Sequence, residues 1–135
     1  MLMLITGLFS VGLFLNSYMM LTNGIGAGAR AFALSRGVTV TNSNGTTSPI
    51  TDPCAYAVQT AQQAAPNLNQ SGVTFAITWT PNGGTATSYS TTCSGITLHT
   101  GDTVEVAASY PAVFILYGWR PGTMSIGNQS TQLVQ

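Results

Sequence analysis

Few residues of this chain could carry out chemistry, and its two cysteines are the most informative of them. Cys54 and Cys93 lie 39 residues apart in a chain of 135 residues. An even number of cysteines in a small exported domain is typical of a disulfide, whereas a metal site would need more ligands than the single histidine, His99, adds. A disulfide closing that loop would stabilise the fold by about 4 kcal/mol in the chain-entropy model. The pattern favours a Cys54–Cys93 disulfide over two buried thiols or half of a metal site.

The remaining titratable residues are too few to assemble an active site. The acidic residues are Asp52, Asp102 and Glu105, and the chain has no lysine. One histidine and three carboxylates cannot readily supply a base, an orienting partner and a nucleophile in one cleft. The chain has no G-x-S-x-G motif, and Gly83-Gly84 is not followed by the Lys-Ser/Thr of a phosphate-binding loop. The sequence therefore predicts a protein that is not an enzyme and needs no metal or other cofactor.

The composition is poor in charge and rich in small polar residues. Charged residues make up 4% of the chain, against roughly a quarter in soluble domains. Its basic residues, Arg30, Arg36 and Arg120, cannot neutralise a row of phosphates, so we expect no nucleic-acid partner. A surface of Ser, Thr, Asn and Gln has little like-charge repulsion to keep copies apart. This composition favours self-association over an ordinary secreted domain with a bland polar exterior.

The N-terminal segment is apolar on every side. Residues 1–29 carry no charge, and the run from Met1 to Leu21 leads directly into a stretch of Gly and Ala. Such a helix must be surrounded by lipid or by other protein, and about 22 helical residues cover the roughly 30 Å of bilayer hydrocarbon. We expect residues 1–37 to form one helix that ends at Gly37 and acts as a membrane span or filament core. The absence of a basic segment before the apolar run disfavours a secretory signal peptide.

Small residues and arginines mark the second half of this helix. Gly24, Ala27 and Gly28 would let another helix approach closely, or would leave a flexible, partly unwound segment, because each glycine costs about 1 kcal/mol relative to alanine in a helix. Arg30 and Arg36 mark the boundary between membrane and water. Alternatively, Arg30 pairs with an acidic group on a neighbouring subunit.

Residues 38–135 are expected to form an extracytoplasmic, β-rich domain. Asp52-Pro53 is typical of an N-cap followed by proline at the first helical position, so a helix is predicted from Cys54 to Ala65, lying on a sheet. Alternation of apolar and polar residues indicates strands, which are predicted at 38–41, 73–80, 85–93, 103–110 and around 124–126. The fold class is therefore α+β: a long apolar N-terminal helix, then a small domain with one helix packed on an antiparallel β-sheet.

Two surface features remain open from the residues alone. The segment 112–119 is either a buried strand or an exposed patch of Phe114, Leu116, Tyr117 and Trp119 that contacts a neighbouring subunit or the bilayer surface. Three Asn-X-Ser/Thr triplets match the acceptor pattern for N-linked glycans. Their asparagines are Asn44, Asn69 and Asn128.

Four short motifs are spread over most of the chain: Tyr18-Met-Met-Leu-Thr-Asn23, the run from Gly28 to Gly37, Asp52-Pro53-Cys54, and the strand from Gly101 to Pro111. Together they resemble the TadE-like proteins, the pseudopilins of the tight-adherence pilus system. The resemblance implies a type IV-pilin-like subunit that is inserted in the inner membrane, processed by a prepilin peptidase and extracted into a filament by pilus assembly machinery. Type IV pilins carry a glutamate where this chain has Ile5, which leaves the registration of subunits open.

These observations predict a structural subunit of an extracellular pilus-like filament on the cell surface. Its partners would be inner-membrane lipid before assembly and copies of itself afterwards, with Gly24 and Gly28 at the contact, so that Gly28→Leu would block polymerisation and spare membrane insertion. A minor membrane-anchored pseudopilin that primes or regulates assembly is one alternative. Another is a membrane-tethered module that binds glycan or protein through aromatic side chains, with Tyr56, Trp79, Tyr89 and Trp119 as candidates.

Overall fold

The computed structural model describes residues 2–41, 44–113 and 123–135. Within these ranges the chain forms two α-helices, a 3-10 turn and six strands. The helices are α1 (Leu2–Leu34) and α2 (Pro53–Ala64), the 3-10 turn is Gln70–Gly72, and the strands are β1 (Thr39–Thr41), β2 (Thr47–Pro49), β3 (Thr74–Thr80), β4 (Thr87–Tyr89), β5 (Thr103–Val113) and β6 (Thr123–Leu133). The predicted α+β fold, with a long apolar helix ahead of a small domain that contains a helix and an antiparallel sheet, is confirmed.

The main sheet has four antiparallel strands in the order β4-β3-β5-β6. Its strands alternate as the sequence predicts, with Phe75 and Ile77 of β3 and Val104 and Val106 of β5 buried on one face. The second strand of the predicted 73–93 hairpin is shorter than expected, because β4 pairs with β3 only over Thr87–Tyr89. The opposite face of the sheet carries small and polar side chains and is open.

The β5–β6 hairpin differs from the prediction in length. The strand was predicted to end at residue 110, yet β5 continues through Pro111 to Val113, which pairs with Thr123. Pairing of β5 with β3 ends at Ser109, so beyond that point β5 has β6 as its single neighbour. A proline is tolerated there because its missing N–H faces the open edge of the sheet.

A second, two-stranded sheet follows α1 in the chain. There β2 pairs with β1 in an antiparallel hairpin, with Thr41 opposite Thr47. The strand β2 was not predicted because its segment has no apolar alternation to indicate a strand. Backbone pairing with β1 orders it instead.

The core is built around the C-terminal half of α1. Leu21, Ile25, Ala29 and Phe32 are at most 3% exposed, and this half of the helix packs on β5, β6 and α2. The helix ends at Leu34, and Gly37 adopts a positive φ of 70° that permits the chain to turn away. The segments on either side of the expected boundary at residue 37 therefore share one hydrophobic core, which includes residues of α1, α2 and the main sheet.

The second helix begins where the sequence predicts. Asp52 is its N-cap and accepts a hydrogen bond from the backbone N–H of Ala55 at 3.0 Å, and Pro53 occupies the first turn. The buried residues of α2 are Pro53, Cys54, Ala57, Val58 and Ala61. The helix was expected to lie on the sheet, but its buried face packs mainly on α1, and it is α1 that packs on β5 and β6. The buried residues of α2 still join the same core as the sheet.

Candidate functional site

The most distinctive surface of the protein is the N-terminal part of α1, residues 4–20, which we call the arm. Most of its large apolar side chains are exposed, whereas Phe14 and Met20 are partly buried against the domain core. The exposed ones are Leu4 (72% exposed), Ile5 (63%), Leu8 (71%), Phe9 (69%), Val11 (45%), Leu13 (56%), Leu15 (52%), Tyr18 (41%) and Met19 (64%). The helix over Leu4–Leu34 is long and apolar enough to cross a membrane, and 6% of its most apolar 18-residue window is buried.

The glycine face of α1 is covered by α2 of the same chain. A Cβ atom built on Gly24 would lie 2.9 Å from the carbonyl oxygen of Ala61, and one built on Gly28 would lie 2.9 Å from that of Ala57. Real Cβ atoms do not approach an oxygen so closely. The backbones of α1 and α2 can therefore be in contact here only because both positions are glycine. Close helix packing at these glycines is present, but within the subunit.

This contact changes the interpretation of the small-residue motif. The face expected to meet a neighbouring subunit is not accessible at Gly24 or Gly28, since α2 occupies it. Ala27 is half-buried. A Gly28→Leu variant therefore tests the fold of the domain and cannot test polymerisation alone. The motif itself does not identify its partner, and the alanines of α2 provide the complementary small face.

The two boundary arginines lie at the C-terminal end of α1, away from the arm. Arg30 is exposed and lines a shallow concavity with Gln132 and Gln135. Arg36 is also exposed and donates a hydrogen bond from its guanidinium to the hydroxyl of Thr100. Neither arginine forms an ion pair with the part of the chain that the structure describes.

The cysteines form the expected disulfide, with Cα atoms of Cys54 and Cys93 5.5 Å apart. Oδ1 of Asp52 lies beside it and accepts hydrogen bonds from the backbone N–H groups of Ala55 at 3.0 Å and Cys93 at 3.1 Å. The carboxylate thus joins the start of α2 to the segment that carries Cys93. Asp52 and the two sulfurs are close enough to bind a metal, but sulfurs joined in a disulfide supply no thiolate ligand.

Asp102 has a structural role that the sequence analysis missed. Its side chain is 1% exposed, and its oxygens accept hydrogen bonds from Trp79 Nε1 (3.1 Å) and from the backbone N–H groups of Asn82 (3.0 Å) and His99 (2.9 Å). Burial by itself raises the pKa of the Asp102 carboxyl, but these hydrogen bonds outweigh it and hold the pKa below its ordinary value of 3.8. The residue is an ionised structural centre that joins β3, the turn after β3 and the loop before β5.

The aromatic residues considered for stacking do not form an open binding surface among the described residues. The indole N–H of Trp79 is engaged by Asp102, and Trp79 and Tyr89 pack partly buried against the core. Tyr56 is half-buried on α2. The predicted patch of Phe114, Leu116, Tyr117 and Trp119 lies outside the described residues.

Two of the three candidate glycan acceptors have structural contacts of their own. Asn69 caps the 3-10 turn by accepting a hydrogen bond from the backbone N–H of Ser71 at 3.3 Å. Asn128 is half-buried, and its Nδ2 donates to the hydroxyl of Thr22 at 3.0 Å. Asn44, in the β1–β2 hairpin, and Asn69 are both exposed, so they are more accessible than Asn128.

Comparison of the chain with protein-family models, with curated proteins and with solved structures finds no match. The resemblance to TadE-like proteins therefore stays a prediction from the sequence motifs. In the structure, the motif from Tyr18 to Asn23 lies where α1 leaves the arm and enters the domain. The motif from Gly101 to Pro111 covers a turn and most of β5.

Proposed function

We propose that this protein is a structural subunit of an extracellular pilus-like filament, anchored in the inner membrane before assembly and polymerised through α1. The observation that carries the proposal is the division of α1 into two parts. Its C-terminal half supplies the core of the domain, with Ile25 and Phe32 at most 1% exposed, while Leu4 and Leu8 in the arm are more than 70% exposed. One rigid helix thus holds an uncovered apolar rod outside a folded domain.

The energetics of the arm favour a covered state. Full burial of a large apolar side chain contributes about 1.5–3 kcal/mol, and the arm exposes nine such side chains at 41–72% of their surface. Lipid covers them before assembly, and arms of other copies cover them in a filament. Because lipid tails and neighbouring helices are similarly apolar, exchange between the two is close to neutral in hydrophobic energy, and packing decides the outcome.

The continuity of α1 supports retention of the helix in the mature protein. The helix runs without interruption from Leu2 to Leu34, and its residues from Leu21 onward are part of the domain core. Removing it as a signal sequence would take Ile25, Ala29 and Phe32 out of that core. A helix that is both anchor and core is suited to a subunit that carries its domain from a membrane into a polymer.

The exterior of the domain also fits this role. Charged residues are 4% of the chain, so copies packed side by side meet little electrostatic repulsion. The Cys54–Cys93 disulfide fits an oxidising compartment outside the cytoplasm. Both features support a surface-exposed coat around a helical centre.

The proposal is tested by shearing filaments from cells that carry the full chain and examining them by negative-stain microscopy with antibody labelling. We expect fibres labelled along their whole length. Leu8→Asp places a charge in the arm at a cost of about 3 kcal/mol in the bilayer and should abolish fibres, whereas Leu133→Asp, at an exposed site on β6 beside Arg30, should not. Label confined to fibre tips would indicate a minor subunit, and a chain found solely as membrane-bound monomer would refute the proposal.

A further inference from the structure

We propose that one end of the β5–β6 hairpin rests in the interfacial layer of the bilayer while the subunit is membrane-anchored. This end, which we call the hairpin end, consists of Pro111, Ala112, Thr123 and Met124. The inference builds on the proposed function, because it requires the arm to be in lipid. It adds a second membrane contact, made by the folded domain.

The hairpin and α1 run side by side. Leu34 of α1 and Leu133 of β6 line the same shallow concavity, and Thr22 of α1 is hydrogen-bonded to Asn128 of β6 at 3.0 Å. From Thr22 to Leu34 the helix advances about 18 Å. From Asn128 to Leu133 the strand advances about 17 Å. Since the two distances agree, position along β6 corresponds to position along α1.

This correspondence places the hairpin end beside the arm. Met124 precedes Asn128 by four strand residues, or about 13 Å. The same distance along α1 corresponds to about nine residues, so Met124 lies at the level of Leu13, nine residues before Thr22. The packing agrees, because Phe14 is partly buried against the core cluster that contains Ala112 and Ile126. The hairpin therefore covers one side of the arm up to this level.

The other sides of the arm at the same level are uncovered. Leu13 is 56% exposed, Leu15 is 52% exposed and Met19 is 64% exposed. These side chains need apolar cover as much as Leu8 does, so a bilayer that covers the whole arm must reach the level of Met19. The hairpin end then lies within the lipid or its headgroup layer.

The chemistry of the hairpin end fits that position. Its residues are uncharged, Met124 is 61% exposed, and the neighbouring turn, where Gly72 meets Tyr110, is uncharged as well. Placing a charged side chain in lipid is costly. The charged residues that the structure describes lie on the other side of the Thr22–Asn128 contact: Arg30, Arg36, Asp52, Asp102 and Glu105. Arg120, between β5 and β6 in the sequence, lies outside the described residues.

Quenching by lipids with brominated acyl chains tests the position of the hairpin end. The full chain is reconstituted in phosphatidylcholine vesicles as three variants, Leu8→Cys, Met124→Cys and Leu133→Cys, each labelled with a thiol-reactive fluorophore. The native cysteines are joined in a disulfide, so the label attaches to the introduced thiol. Met124 and Leu133 are matched, being 61% and 57% exposed on the same strand.

We expect brominated lipid to reduce emission from the labels at positions 8 and 124 and to leave position 133 unchanged. Quenching at 8 with none at 124 would overturn this inference and leave the membrane-anchored arm intact. An absence of quenching at position 8 would overturn both this inference and the proposal that the arm lies in lipid. If the emission of the label at position 124 changes only when many copies share a vesicle, the label contacts a neighbouring copy instead of lipid. That result also contradicts the inference.

Discussion

Asn128 of β6 donates a hydrogen bond from its side-chain nitrogen to the hydroxyl of Thr22 in α1, at a distance of 3.0 Å and across 106 residues of sequence. The contact lies where α1 changes character. On its C-terminal side the helix is buried against the sheet and α2, and on its N-terminal side large apolar side chains are exposed. The two parts of one helix therefore have separate roles, and substitutions in them should have separate effects.

Two phenylalanines on α1 test this division directly. Phe32 is fully buried and Phe9 is 69% exposed. We expect Phe32→Ala to lower the free energy of unfolding by about 4 kcal/mol, because it opens a cavity in the core. Phe9→Ala should change it by less than about 0.5 kcal/mol. Urea unfolding of the full chain in mild detergent, followed by tryptophan fluorescence, measures both, and equal losses would show that the arm is part of the domain core.

The glycines of α1 provide a second matched pair. Gly28→Ala brings a Cβ atom to 2.9 Å from the carbonyl oxygen of Ala57, whereas a Cβ atom on Gly26 meets nothing within 4 Å. We expect Gly28→Ala to destabilise the domain by about 2 kcal/mol, since α2 must shift. Gly26→Ala should stabilise it by up to about 1 kcal/mol through helix propensity. Thermal unfolding by circular dichroism compares them, and stabilisation by both substitutions would contradict the close contact of α1 with α2.

The buried carboxylate of Asp102 predicts an acid dependence of stability. Its pKa is lowered in the folded state relative to the ordinary value of 3.8, so ionised Asp102 stabilises the fold above that value. This contribution is lost as the pH falls from about 4 through the lower folded pKa. Asp102→Asn removes it, and the new amide leaves at least one of the N–H donors of Trp79, Asn82 and His99 without an acceptor.

We therefore expect Asp102→Asn to cost about 2 kcal/mol at pH 7 and to flatten the fall in stability below pH 4. Glu105→Gln, on the half-exposed face of β5, is the control and should stay close to the parent protein. The measurement is urea unfolding at a series of pH values from neutral to acidic. An Asp102→Asn protein whose unfolding follows the parent curve at every pH would refute the role of the carboxylate.

Local patterns were sufficient to predict most elements. Asp52-Pro53 indicated the start of α2, alternation indicated β3 and β5, and the apolar run indicated α1. Each of these signals acts over a few residues. The extension of β5 through Pro111 was missed because a proline is acceptable in a strand only when its N–H side is unpaired, and that depends on where β3 stops.

The contacts that define the site depend on tertiary structure and were not predictable from local patterns. The small residues Gly24 and Gly28 were compatible with close helix packing or with a flexible segment, and their spacing is the same whether the partner is α2 or another subunit. The role of Asp102 was not predictable, because its donor Trp79 lies 23 residues away in the sequence. Which sides of the arm are uncovered depends on where β6 and α2 end, and the periodicity of apolar residues in the sequence does not specify this.

The proposed function depends on the arm finding its cover among arms of other copies, and cross-linking at Leu8 measures this most directly. Leu8 is 71% exposed and far from the disulfide-bonded core, so a single Leu8→Cys substitution reports on the arm alone. Material sheared from the cell surface is treated with a short bis-maleimide and separated by denaturing electrophoresis, with a Gln129→Cys variant on the outer sheet face as control. We predict covalent dimers through position 8 in extracellular fibres. Monomers alone, confined to the membrane fraction, would contradict the account.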